Sequence, residues 1–208
     1  MISGCSMNDF ALLDRIINRS IGKRNLSQYM KCDIFKKKGD INMEKTVKIE
    51  YLYLDLNTCD RCMGTDVILD EVVSVLQPVL ELAGYTVTYE KQEMTTVKDA
   101  VKYEFVSSPT IRVNGRDICT AVKENACGCC SDISGTAVTC RVFTYEGQDY
   151  EVPPRAMLAE EILRVIFGGT LEEKTAETYV LPQNLKDFYR GKMTKNVKCC
   201  CGGNSDCC

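Results

Sequence analysis

The fold of this chain is decided by the stretch Val47-Lys48-Ile49-Glu50-Tyr51-Leu52-Tyr53-Leu54-Asp55-Leu56, which is followed by Cys59-Asp60-Arg61-Cys62. The apolar and aromatic residues of the first part predict a central strand that is buried on both faces by its end. Apolar residues at helical spacing predict a long helix from roughly Arg61 to Ala83, and Gly84 sits where a helix would end. The Cys-x-x-Cys pair therefore lies between a strand and a helix, where backbone N–H groups favour thiolate at the first cysteine.

The next residues repeat the strand and helix pattern. Tyr85 to Glu90 predicts a second strand, and Thr96 with Asp99 predicts a capping box that opens a helix near residues 97–105. The following segment, Val106 to Arg116, predicts a strand that begins after Ser108-Pro109 and ends in a hairpin turn at Asn114-Gly115. The order predicts an α/β fold built on a parallel β-α-β unit.

A cysteine-rich insertion, residues 119–152, separates this part from the last helix of the domain. It holds five cysteines and ends in an alternating segment that predicts a β-hairpin about Glu146-Gly147. Pro153-Pro154 then opens a helix predicted over residues 155–167, which Gly168-Gly169 stops.

The order of these elements around Cys59-x-x-Cys62 and Ser108-Pro109-Thr110 resembles the thioredoxin superfamily over about residues 47–119. That resemblance implies a three-layer α/β/α fold with a central mixed sheet. It also implies that Cys59 is the nucleophilic thiol, Cys62 the resolving thiol, Pro109 a cis-proline and Ser108 the residue whose backbone meets an incoming disulfide or peptide. Asp60-Arg61 stands where thioredoxins usually carry Gly-Pro, and no tryptophan precedes Cys59, so general protein-disulfide reduction is not expected.

The insertion carries a second resemblance. Its block Cys127-Gly128-Cys129-Cys130-Ser131, together with Cys140-Arg141, Tyr145-Glu146-Gly147 and Pro153-Pro154, resembles an uncharacterised bacterial thioredoxin-like family. This resemblance implies a fold and no particular reaction.

The composition restricts the chemistry to sulfur. The chain of 208 residues has 14 cysteines and no histidine, which excludes a Cys-His dyad and an imidazole general base. A net charge of −3 offers no basic face to nucleic acid, and no apolar run is long enough to predict a membrane span. The N-terminus lacks the features of a secretory signal, so the thiols are expected in a reducing cytoplasm, where many cysteines indicate metal or redox chemistry.

The insertion cysteines predict a metal site. Four thiolates can hold a structural zinc ion or an iron–sulfur cluster, and three suit a thiophilic ion such as As(III). The spacing of Cys127, Cys129 and Cys130 departs from the usual paired Cys-x₂-Cys, and for Cys119 alone the alternative of a small buried apolar residue is favoured. The candidate ligands in this insertion are Cys119, Cys127, Cys129, Cys130 and Cys140.

Three parts of the chain are predicted. Residues 1–43 form an N-terminal extension with a short amphipathic helix and a linker, residues 44–169 form the thioredoxin-like domain, and residues 170–208 form a C-terminal extension with a helix after Pro182 and a flexible tail. The tail adds the candidate metal ligands Cys199, Cys200, Cys201, Cys207 and Cys208. Such vicinal cysteines resemble the tails of arsenic metallochaperones; reduction of the Cys59–Cys62 disulfide and adventitious metal binding are the alternatives.

Two functions follow from these patterns. The first is a thiol–disulfide oxidoreductase that uses Cys59 and Cys62, needs no cofactor, acts on protein or small-molecule disulfides and depends on an unidentified electron donor. The alternative is a protein that binds or transfers a metal or metalloid, such as arsenic, mercury or zinc, between a donor and an acceptor. Neither nucleic acid nor a membrane is expected as a partner.

Overall fold

The computed structural model describes residues 45–119, 121–168 and 178–200, with side chains described up to residue 195. The amphipathic helix and linker predicted within residues 1–43 lie outside the described residues, as do residues 201–208 of the tail. The described residues belong to one compact unit.

The first half of this unit is the predicted β-α-β arrangement. Strand β1 spans Lys45–Tyr53, helix α1 spans Asp60–Leu82 and strand β2 spans Tyr85–Glu93. Strands β1 and β2 pair in parallel, with Lys45 opposite Tyr85, so the connection through α1 has the predicted form.

The sheet is completed by antiparallel strands, which makes it mixed. Strand β3, Thr110–Val113, pairs antiparallel with β1, and the short strand β4, Arg116–Asp117, pairs with β3. The sheet order is β2-β1-β3-β4. Asn114 and Gly115 link the last two strands with φ angles of 51° and 76°, the left-handed pair that a tight hairpin turn requires.

Alternate residues of β1 serve two cores on opposite faces of the sheet. Val47, Ile49 and Tyr51 belong to a cluster with apolar residues of α1 and of helix α4, Arg155–Phe167. Leu52 and the following Leu54 belong to a second cluster. This second cluster includes side chains from helix α2 (Val97–Lys102), from the insertion and from helix α5 (Gln183–Cys200). Helices therefore cover both faces of the sheet.

The cysteine-rich insertion forms a small sheet of its own around a short helix. Strand β5, Lys123–Ala126, leads into helix α3, Gly128–Ser134, and then into strands β6, Thr139–Tyr145, and β7, Gln148–Tyr150. The three strands are ordered β5-β6-β7 and are antiparallel. The hairpin predicted about Glu146-Gly147 is present, whereas β5 and α3 were not predicted.

The remaining helices agree with the sequence patterns, and one is longer than expected. Helix α2 begins with the predicted capping box of Thr96 and Asp99, and α4 has the predicted bounds. Helix α5 starts directly after Pro182 and continues to Cys200, so it is longer than the short helix that the sequence predicts. Gly191 permits its close approach to α3, because a Cβ atom there would lie 2.4 Å from the carbonyl oxygen of Ser134.

The described residues thus form an α/β structure with a mixed sheet and five helices, compatible with a thioredoxin-like α/β fold.

Candidate metal centre

Cys59 lies at the N-terminus of α1, in the position that the sequence predicts. It is the N-cap residue of the helix, it is fully buried, and its own side chain makes no capping hydrogen bond. The loop before it is fixed by Asp55, whose Oδ1 accepts hydrogen bonds from the backbone N–H groups of Asn57, at 2.9 Å, and Thr58, at 2.6 Å. Burial of Asp55 opposes its ionisation, but these hydrogen bonds and those from the Thr58 hydroxyl and the Cys59 N–H lower its pKa. Asp55 therefore serves the loop backbone.

Cys62 lies one helical turn further on and is also fully buried. Its Sγ is 3.3 Å from Ser108 Oγ, and the same hydroxyl accepts a hydrogen bond from the backbone N–H of Leu54 at 3.1 Å. The hydroxyl of the buried Tyr51 donates to the carbonyl oxygen of Cys62 at 2.7 Å. The peptide bond between Ser108 and Pro109 is cis, so the loop before β3 has the geometry that the resemblance implies.

A second Cys-x-x-Cys pair, Cys127 and Cys130, repeats this arrangement in the insertion. Cys127 is the N-cap residue of α3 and makes no side-chain capping hydrogen bond, and Cys130 is the third residue of the helix. Both are buried. The backbone N–H of Cys127 donates to the carbonyl oxygen of Val138 at 2.9 Å, which fixes the start of the helix against the chain that enters β6.

The two pairs converge. The sulfur atoms of Cys59, Cys127 and Cys130 all lie within 4.8 Å of one another. Cys130 Sγ is 3.7 Å from Cys59 Sγ, and Cys140 Sγ, from strand β6, is 3.4 Å from Cys130 Sγ. We refer to Cys59, Cys127, Cys130 and Cys140 as the four-sulfur cluster. Its separations exceed the roughly 2.0 Å of a disulfide bond, and the seven cysteines whose side chains are described are free thiols.

The cluster favours ionisation at the two helix N-termini. Hydrogen bonds from the thiols of Cys127, Cys130 and Cys140 lower the pKa of Cys59 well below its ordinary value in spite of burial. Hydrogen bonding from Cys130, in the first place, lowers the pKa of Cys127 to about 7. Both residues are N-caps, where the helix dipole adds to the same effect.

The pKa values of the other thiols of the site shift in the opposite direction. The pKa of Cys130 and that of Cys140 are raised, in each case first by the hydrogen bond with Cys127 and further by burial. The pKa of Cys62 is raised by its hydrogen bond with Cys59, then by burial and by the charge of Cys59. Cys59 and Cys127 thus favour the thiolate form beside neighbouring S–H groups, and those protons are what a bound cation would displace.

Arg61, between the two cysteines of the first pair, ties the insertion to α1. Its side chain is 7% exposed, and it donates to the carbonyl oxygens of Ala126 at 2.7 Å and Cys140 at 3.2 Å. It also forms an ion pair with Glu151. One guanidinium group therefore holds the residue before Cys127 and the backbone of Cys140, and so positions two members of the cluster relative to Cys59.

Arg141 makes the second link between the insertion and the sheet. Its side chain is fully buried and pairs with Asp117 through two hydrogen bonds, of 3.0 and 2.7 Å. Its backbone N–H donates to the carbonyl oxygen of Ser108 at 2.7 Å. Strand β6 therefore already occupies the backbone group that the thioredoxin resemblance assigns to an incoming peptide.

Two of the predicted insertion ligands lie outside the four-sulfur cluster. Cys119 is partly buried beside the core on the α1 and α4 face, and burial, followed by the charge of Asp117, raises its pKa to about 11. Cys129 is partly exposed, and its Sγ lies 3.7 Å from Oδ2 of Asp60. Cys199 and Cys200 lie in the last turn of α5, where side chains are not described, and Cys201, Cys207 and Cys208 fall outside the described residues.

The sequence did contain a signal for the second pair. Cys127 and Cys130 have the Cys-x₂-Cys spacing, but the intervening Cys129 led to the interpretation that the paired motif is absent. Arg61 had no comparable signal, because its partners are backbone carbonyl groups far along the chain. The sequence patterns gave no indication that the sulfur of Cys59 would lie beside those of the insertion cysteines.

The fold and site define a mixed α/β domain whose strand-to-helix thiol is enclosed by a cysteine-rich insertion. Residues 47–162 match the family model described as Domain of unknown function (DUF2703), and since this is more than half of the chain, the chain belongs to that family. No curated protein and no solved structure matches the chain. None of the helices in the described residues has the length and apolar character needed to cross a membrane.

Proposed function

We propose that this protein binds a soft metal or metalloid ion through the four-sulfur cluster, and that it does so on a scaffold of the thioredoxin superfamily. The observation that carries the proposal is the convergence of Cys59, Cys127 and Cys130 within 4.8 Å, with Cys140 Sγ 3.4 Å from Cys130 Sγ. Sulfur from two distant Cys-x-x-Cys pairs meets at one buried point.

The donor set fits such an ion in type, and two of its separations fit one in size. Thiolates select soft or borderline cations such as Zn²⁺ and As(III) over magnesium or calcium. Four thiolates at about 2.3 Å around a tetrahedral zinc ion lie about 3.8 Å from one another. The 3.4 and 3.7 Å separations in the cluster are close to that value. A cation at the centre would replace the S–H protons and neutralise buried thiolates, which are costly without a partner.

The surroundings of Cys59 argue against a protein disulfide as the substrate. Cys59 is fully buried, and the carbonyl oxygen of Ser108 already accepts a hydrogen bond from the backbone N–H of Arg141. An incoming peptide would have to displace strand β6 before it reached the thiol. A bound ion needs no such rearrangement, because its ligands are already adjacent.

A thiol–disulfide oxidoreductase is the second candidate, and the first Cys-x-x-Cys pair favours it. The lowered pKa of Cys59 suits a nucleophile, and the raised pKa of Cys62 suits a resolving thiol that stays protonated until it is needed. Under this proposal, Cys62→Ser traps a mixed disulfide with a substrate in cells. Absence of any trapped species on a non-reducing gel contradicts it.

Native mass spectrometry of the full chain tests ion binding. The protein is purified without air after replacing the tail cysteines with serine, so that bound mass does not include ions held by the tail. We expect one Zn²⁺ or one As(III) per chain, with loss of binding in Cys59→Ser. The matched control Cys119→Ser should bind like the parent protein, because that partly buried thiol lies outside the cluster. Equal loss in both variants, or no bound ion in the parent, rejects the proposal.

The proposed partners are a donor and an acceptor of the ion, and the proposed location is a reducing compartment such as the cytoplasm, where the thiols stay free. The cysteines of residues 199–208 are proposed as a capture arm that works with the cluster. Deletion of these residues should lower cellular tolerance to arsenite. Unchanged tolerance and unchanged uptake of the ion contradict a role for the tail.

A further inference from the structure

Cys59 belongs to two arrangements that cannot use its sulfur at the same time. It is one of the three cysteines whose sulfur atoms lie within 4.8 Å of one another, and it is also the partner of Cys62 in the first Cys-x-x-Cys pair. A sulfur that is bonded in a disulfide is no longer a thiolate ligand.

Cys62 is placed to take that sulfur. It is fully buried, it lies one turn of α1 after the N-cap residue Cys59, and its Sγ is 3.3 Å from Ser108 Oγ. Its main-chain position is fixed by the Tyr51 hydroxyl, which donates to its carbonyl oxygen at 2.7 Å. Cys62 is thus a fifth, unshared thiol next to the cluster, and it reaches Cys59 within one turn of α1 without any movement of the insertion.

We propose that oxidation of Cys59 and Cys62 to a disulfide expels the bound ion, so that the protein releases its cargo in response to a peroxide. This inference rests on the proposed function and names the regulation of the same site. The cluster would hold the ion while Cys62 is reduced, and it would lose one ligand, and with it the ion, when Cys62 bonds to Cys59.

The reaction balances with hydrogen peroxide as the oxidant. The Cys59 thiolate attacks the peroxide, forms a sulfenic acid and releases hydroxide, which takes up a proton to give water. The sulfur of Cys62 then attacks the sulfenic sulfur, the S–O bond breaks, and a second water molecule leaves. Two electrons pass from the two cysteines to the peroxide, and the remaining thiolates take up protons as the ion departs.

Thermodynamic linkage gives a second signature of this competition. An ion that binds only the reduced pair stabilises the reduced state, and so raises the midpoint potential of the pair. For a two-electron couple, each tenfold rise in free ion above the dissociation constant should raise that potential by about 30 mV. A redox pair that does not share a ligand with the ion would show no such shift.

Peroxide-driven release of Zn²⁺ from the full chain, with its tail cysteines replaced by serine, tests the inference. We expect one equivalent of peroxide to release the ion to a chromogenic chelator, to produce a disulfide that peptide mapping assigns to Cys59–Cys62, and to be reversed by dithiothreitol. Cys62→Ser should bind Zn²⁺ with the same stoichiometry and release it at least tenfold more slowly. Cys119→Ser is the matched control and should behave like the parent.

The outcomes separate the two proposals. Release from Cys62→Ser at the parent rate, or a disulfide mapped between two other cluster cysteines such as Cys130 and Cys140, overturns this inference while ion binding stands. A parent protein that binds no ion overturns both. Should Cys62→Ser fail to fold, the mapped disulfide and the shift in midpoint potential of the parent protein decide the question alone.

Discussion

Replacement of Asp117 by alanine should destabilise the metal-free protein by about 3 kcal/mol. Arg141 is fully buried, and the two terminal nitrogens of its guanidinium group each donate a hydrogen bond to the carboxylate of Asp117. In the described part of the chain, Nε of Arg141 has no hydrogen-bond partner. The substitution therefore leaves a buried guanidinium without its counter-charge, a change that costs about 3–5 kcal/mol. Asp117 is 27% exposed, so water can approach the vacated position and the lower end of that range applies.

The assay is urea denaturation of reduced, metal-free protein, followed by circular dichroism. With a slope of about 1–3 kcal/mol per molar urea, a loss of about 3 kcal/mol lowers the urea midpoint by about 1–3 M. Asp117→Asn should lose less than Asp117→Ala, because the amide oxygen still accepts one hydrogen bond. Glu71→Ala is the matched control: it removes the partner of Arg155 in an exposed pair and should leave the midpoint unchanged.

The same change should reach the cluster, because Arg141 directly follows Cys140 and its N–H binds the carbonyl of Ser108. We therefore expect Asp117→Ala to weaken Zn²⁺ binding as well as stability. A loss of stability below about 1 kcal/mol, the range of an exposed ion pair, would refute the reasoning that the Arg141–Asp117 pair anchors the insertion.

Three further predictions concern the cluster itself. Cys140→Ser should weaken Zn²⁺ binding at least tenfold in a chelator competition but leave As(III) binding unchanged, because As(III) needs only three thiolates. Cys119→Ser should change the binding of neither ion, and equal binding of Zn²⁺ by both variants counts against a four-thiolate site. Arg61→Met should speed hydrogen exchange in the insertion, since the carbonyl groups of Ala126 and Cys140 lose their hydrogen-bond donor. Glu151→Gln, which changes the exposed ion-pair partner of Arg61, should not; identical exchange in both variants would contradict a positioning role for Arg61. Zn²⁺ affinity should fall as pH falls, because the ion must displace a proton from Cys140, whose pKa is raised. The fall should be steeper below pH 7, where Cys127, with a pKa of about 7, also becomes protonated. Calorimetric titrations that give the same affinity at each pH would contradict this.

The sequence predicted the elements that local signals specify. The capping box at Thr96 and Asp99, the Asn114-Gly115 turn and the helix opened by Pro153-Pro154 are all present, because each depends on residues a few positions apart. Helix α3 was missed for the converse reason. Its sequence, Gly-Cys-Cys-Ser-Asp-Ile-Ser, has low helix propensity, and the helix is held by tertiary packing against α5.

The site could be predicted only in its parts. Each Cys-x-x-Cys pair is readable from spacing, and the thiolate-stabilising position of Cys59 follows from the strand before it. The meeting of Cys59 with Cys130 depends on long-range contacts, namely those of Arg61 with Ala126 and Cys140 and that of Arg141 with Ser108. Backbone carbonyl groups accept these hydrogen bonds. Because every residue has a backbone carbonyl group, the residue types in the sequence do not show which ones are acceptors.

The same physical features that make a reactive thiol also make a metal ligand, and the position of the insertion favours the second role, which is the proposed function. A helix N-terminus lowers the pKa of Cys59 whether its thiolate attacks a disulfide or binds a cation. Two features differ here, namely the access of a substrate chain to Cys59 and the presence of other cysteines beside it. Strand β6 takes the Ser108 carbonyl that an incoming chain would need, and it brings Cys140 beside a second helix N-terminus that carries Cys127. Thiolates at this buried point cannot attack a protein disulfide unless the insertion opens, but under the proposed function a cation between them would satisfy both.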